Sequence, residues 1–62
     1  MCESNAYIIK DGVEKPIFEG IDILEEMEGQ VRMVNLFGEE QIIQARIKRL
    51  SLVDHKIILE SA

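Results

Sequence analysis

Apolar and polar side chains alternate with a period of two over most of this chain, in short runs separated by glycines or polar pairs. Such alternation places successive side chains on opposite faces of a strand. Residues 2–10 read as the first strand, with Ala6, Ile8 and Lys10 on one face and Tyr7 and Ile9 on the other. Asp11-Gly12 is a hairpin signal, because both positions of such a turn must tolerate positive φ. Val13 to Phe18 returns as a second strand. Pro16 lacks a backbone donor and therefore belongs on an edge or at a bulge. Gly20 then breaks the run.

Residues 21–27 fit two periods. Ile21, Leu24 and Met27 have helical spacing, and glutamates favour helix. Fewer than ten residues lie between Gly20 and Gly29, too few for a self-supporting helix, so a strand is expected. Glu28-Gly29-Gln30 is a turn and 31–37 a strand with apolar residues on both faces, hence central. Gly38-Glu39-Glu40 turns the chain again. Residues 41–53 are long for one strand. Ile43, Ala45 and Ile47 keep step, while Leu50 and Leu52 have the other parity, so a bulge or bend is expected near Lys48-Arg49. Asp54-His55 makes the last turn and 56–60 the closing strand. Six or seven short strands with frequent turns predict an all-β fold, a small antiparallel SH3/Sm-like barrel in which a long bent strand turns the corner.

Length changes the picture next. The 62 residues make a single domain spanning 1–62. A chain this short buries only about 60% of its unfolded surface, so small folds lean on disulfides, metals or oligomers. One cysteine allows no internal disulfide, which makes a dimer the expected remedy. Without a basic, apolar leader or a long apolar run, a cytoplasmic protein is expected. The net charge of −5 opposes binding to phosphate backbones.

The cysteine is Cys2, beside the α-amine. A thiolate is a soft metal donor and the amine titrates near neutrality. If Met1 is removed, the donors are the Cys2 amine and thiolate with the Glu3 amide nitrogen. If it is retained, they are the Met1 amine, the Cys2 amide nitrogen and the Cys2 thiolate. Flat nitrogen and sulfur sets suit Ni(II) or Cu(II) better than tetrahedral Zn(II). Two chains at a symmetry axis would complete four ligands. The alternative is an ordinary apolar contact or incidental thiol in a structural dimer.

Other candidates read more plainly. His55, the sole histidine, is a solvated turn residue, or a second ligand if the last turn lies near the N-terminus. Glu19, Asp22, Glu25, Glu26 and Glu28 form a solvated acidic face, or a dock for a basic partner. Arg46, Lys48 and Arg49 are the one basic cluster and the basis of an alternative reading, a small RNA-binding or scaffold barrel. No aromatic residues interleave with them to stack bases. Glu39 and Glu40 face opposite sides of a strand and cannot act as a catalytic pair. No phosphate loop, nucleophile motif or HExxH is present, so catalysis is not expected.

The opening MCESNAYI, the Asp11-Gly12 turn and the run LFGEEQII from Leu36 to Ile43 resemble the CooT family of nickel-binding accessory proteins for carbon monoxide dehydrogenase maturation. The resemblance covers essentially the whole length. Close relatives are often described as RNA-binding proteins. It implies a homodimer in which the cysteine after the initiator methionine, here Cys2, binds Ni(II) for delivery or homeostasis. It carries no other ligand over, and the chain lacks the His-rich tail of a nickel store.

Overall fold

The computed structural model describes residues 4–61. They form one six-stranded sheet: β1 (Ser4–Lys10), β2 (Val13–Met27), β3 (Gln30–Asn35), β4 (Glu40–Ile43), β5 (Ala45–Ser51) and β6 (Lys56–Ser61), in spatial order β4-β3-β2-β1-β6-β5. No helix occurs among the described residues, so residues 21–27 are strand as the short glycine-to-glycine interval required. The all-β fold stands, with one departure from a purely antiparallel barrel: β1 and β6 run parallel, from Asn5↔Lys56 to Ile9↔Glu60. The other four pairings are antiparallel. The expected turn pairs are present, with Asp11 at φ 53°, Gly12 at 77° and His55 at 56°.

The strand boundaries differ in two places. Gly20 does not end a strand. It sits at φ 65° inside β2, where the two flanking runs join. The β1 pairing slips between Ser4 and Ala6 and again between Ala6 and Tyr7, while the β3 pairing slips between Ile21 and Ile23. Extra residues at such slips bend a strand and increase its twist. β2 therefore serves two partners in turn: its first half pairs with β1 and its second with β3. Residues 41–53, expected as one strand, divide at Gln44, where the chain crosses from β4 on one edge of the sheet to β5 on the other. The expected bulge is also there, at Lys48, between the pairs Ile47↔Leu59 and Arg49↔Ile58.

These bends curl the sheet into a half-barrel with β3 packed against β5. The inner face buries Ala6, Ile21, Val31, Met33, Ala45, Ile57 and Leu59, with Ile8, Ile17, Phe18, Leu24, Ile43 and Ile47 packed around them. Two edges are blunted. The first half of β2 has β1 on one side and no strand on the other, and Pro16 removes a donor there. On β5, the Ile47 N–H donates to a Glu26 carboxylate oxygen at 3.3 Å, occupying a donor at the bulge.

Candidate functional site

One end of the sheet gathers the start of β1, the middle of β2, the end of β3 and the last turn. A chain of hydrogen bonds ties them across the sheet. The Asn5 N–H donates to the His55 carbonyl at 2.9 Å. The Asn5 Oδ1 accepts from the Gly20 N–H at 3.1 Å, and the Gly20 carbonyl accepts from the Leu36 N–H at 2.8 Å. Gly20 thus bends β2 and offers both its backbone groups to neighbouring elements.

Asn35 organises the β3–β4 loop. Its side chain is almost wholly buried and fully partnered. Oδ1 accepts from the Phe37 N–H at 3.0 Å and the Glu39 N–H at 2.9 Å, and Nδ2 donates to Glu39 Oε1 at 2.7 Å. An amide at a strand end that satisfies loop N–H groups in this way fixes the loop as a backbone turn would. An open hollow of about 380 Å³ lies beside it, lined by Pro16, Phe18, Glu19, Asn35, Phe37 and Glu39 among others. The last turn is held by Ser51, whose Oγ accepts from the Asp54 N–H at 3.4 Å and bonds Asp54 Oδ2 at 3.2 Å.

This end also exposes apolar side chains. Phe37, Leu52 and Val53 are 82–89% exposed and Leu36 is about half exposed. A side chain so exposed gains nothing from folding, and several at one end of a small protein mark an association surface.

The candidate residues fall as follows. Cys2 lies outside the described residues. His55 is exposed, but its carbonyl holds Asn5, so the last turn and the start of β1 are neighbours. Among the described residues, no group of three or more His, Cys, Asp or Glu is arranged to hold a metal. Arg46 is paired with Glu60 at 2.9 Å. Lys48 occupies the bulge, which takes it out of the regular alternation that would align it with Arg46. Glu39 and Glu40 are separated in role: Glu39 holds Asn35, whereas Glu40 binds Arg32.

Two features were not read from the sequence. Arg32 lies between Glu25 and Glu40 on neighbouring strands, donating to Glu25 Oε1 at 2.9 Å and to Glu40 Oε2. These partners, Glu40 foremost, raise its pKa above the ordinary arginine value. Asn35, although two positions inside the end of the expected strand, is the hub of a loop. Its signal was an Asn two residues before an FGE turn, where Asx side chains commonly cap the backbone.

No helix among the described residues is long and apolar enough to cross a membrane. No curated protein matches the chain. A crystal structure assigned to CooT of Carboxydothermus hydrogenoformans is similar, with 41% identity, a TM-score of 0.89 and 98% of each chain covered. The family profile described as CO dehydrogenase accessory protein CooT matches residues 1–60. The chain belongs to the CooT family of carbon monoxide dehydrogenase accessory proteins.

Proposed function

We propose that this protein is a homodimer that binds one Ni(II) through Cys2 and adjacent backbone nitrogens, and hands the ion to carbon monoxide dehydrogenase or its maturation proteins. The observation that carries this reading is the end of the sheet at which β1 starts. Leu36, Phe37, Leu52 and Val53 are exposed there, and an apolar rim favours a second copy. Cys2 precedes Ser4, the first residue of β1, by two residues, about 7 Å of chain at full extension. Two copies meeting by a twofold axis at this end would bring two sulfurs and their neighbouring nitrogens to one ion. Nickel is cargo in this scheme. A flat nitrogen and sulfur set selects it by geometry, and a site at a chain terminus leaves the ion accessible to an acceptor.

Titration with Ni(II), followed by ligand-to-metal absorbance, tests the ligand. Cys2→Ser should lose the sulfur-to-metal band and most of the affinity; an unchanged isotherm overturns the reading. Binding displaces protons from the thiol and nitrogen donors, so affinity should fall as pH is lowered. Light scattering tests the rim, where Phe37→Ser with Val53→Ser should shift the protein toward monomer.

A further inference from the structure

Charge is divided between two halves of the sheet. Residues 19–44, comprising the second half of β2 with β3 and β4, carry Glu19, Asp22, Glu25, Glu26, Glu28, Glu39 and Glu40 against a single base, Arg32. The remaining described residues carry six bases and four acids. On the acidic half, the outer face can be read from the register. Val31 and Met33 point into the core, so Arg32 and Val34 point out, with Ile23 and Glu25 beside them on β2 and Glu40 and Ile42 on β4. Ile23 is 42% exposed and Ile42 51% exposed. The Arg32 ion triad stands among these uncovered isoleucines with a net negative charge.

We propose that this outer face docks the carbon monoxide dehydrogenase that the family serves, through a patch on the enzyme that sets lysines and arginines around an apolar centre. The proposal rests on the accessory role, not on the nickel ligands. Charge complementarity selects the occupant. A second copy would bring together two faces of the same net negative charge, which repels. Phosphate-rich partners are repelled for the same reason. A basic protein surface is attracted, and the isoleucines and Val34 supply the dry centre that a specific interface needs. This face is also distinct from the rim at the start of β1, so docking and dimerisation need not compete.

The test is surface plasmon resonance with the immobilised protein and purified nickel-free carbon monoxide dehydrogenase from the same source, at low and high salt. Wild type should bind, more weakly as salt rises. Ile23→Thr with Ile42→Thr keeps β-branched residues on the strands and should weaken binding by about tenfold or more. Glu25→Gln with Glu40→Gln should weaken it at low salt and flatten the salt dependence. Val13→Thr, on the exposed β1–β2 hairpin, should bind as wild type. Absence of binding by the wild type, or outer-face variants that bind as tightly as wild type, overturns the proposal. Nickel titration of the same variants keeps the two readings apart. Unchanged nickel affinity with lost docking supports the docking face alone, whereas nickel binding that survives Cys2→Ser removes the ligand assignment and leaves the face standing.

Discussion

The two halves of the sheet treat their outer faces differently. On the half built from β1, β5 and β6, Ile58 points away from the core yet is only 2% exposed. Its cross-strand neighbours are Tyr7 and Arg49, and the side chains around it are tied to one another. Lys56 lies over the Tyr7 ring at 5.0 Å and pairs with Glu14 at 3.5 Å, and Arg46 pairs with Glu60. The long stems of charged residues cover apolar surface while their heads remain in water. On the half built from β3, β4 and the end of β2, the same resources are spent otherwise. Arg32 is clamped between two carboxylates, and Ile23 and Ile42 stay exposed. One outer face is covered by its own side chains; the other leaves Ile23 and Ile42 open to water.

Truncation separates the two faces most sharply. Ile58→Ala should cost about 3 kcal/mol in urea denaturation, as for a core residue, because it opens a buried site. Ile42→Ala should cost less than about 1 kcal/mol. Equal losses would show that the two faces are alike. Next in size is the cover itself. Lys56→Ala removes the cation over Tyr7 and the pair with Glu14, and should cost about 0.5–1 kcal/mol. Arg32→Gln should cost less than Lys56→Ala, an effect that fades with salt, because this triad is open to water. The smallest effect lies in the turn between β5 and β6, on the covered half. His55 holds a left-handed φ and, among the described residues, is bonded to the sheet through its carbonyl. His55→Gly should therefore be neutral or stabilising by a few tenths of a kcal/mol, roughly the relief of φ strain less the entropy of glycine.

Much of the fold was legible because its signals are local. Asp11-Gly12 and Glu28-Gly29 are turn chemistry, Pro16 marks an edge by its missing donor, and the parity slip near Lys48 is a bulge written into the spacing of Ile47 and Leu50. What escaped were pairings between distant segments. Nothing in residues 4–10 and 56–61 says that they run parallel, since parallel and antiparallel strands share one alternation. Gly20 reads as a stop by composition. Its neighbours instead hold it inside a strand, because Asn5 and Leu36 take up the backbone groups that a loop would leave to water. Likewise Arg32 reads as one base in an acidic region until the register sets Glu25 and Glu40 beside it. The family was visible in the opening MCESNAYI, the Asp11-Gly12 turn and the run LFGEEQII, whereas the rim made by Leu36, Phe37, Leu52 and Val53 required the topology that joins two distant loops to one end.

Native mass spectrometry of the protein with one equivalent of nickel per dimer addresses ligation and assembly together. A dimer carrying a single nickel ion is expected, and a Cys2→Ser protein that carries none. A metal-loaded monomer, or a Cys2→Ser dimer that retains the ion, would contradict ligation through Cys2 in a dimer.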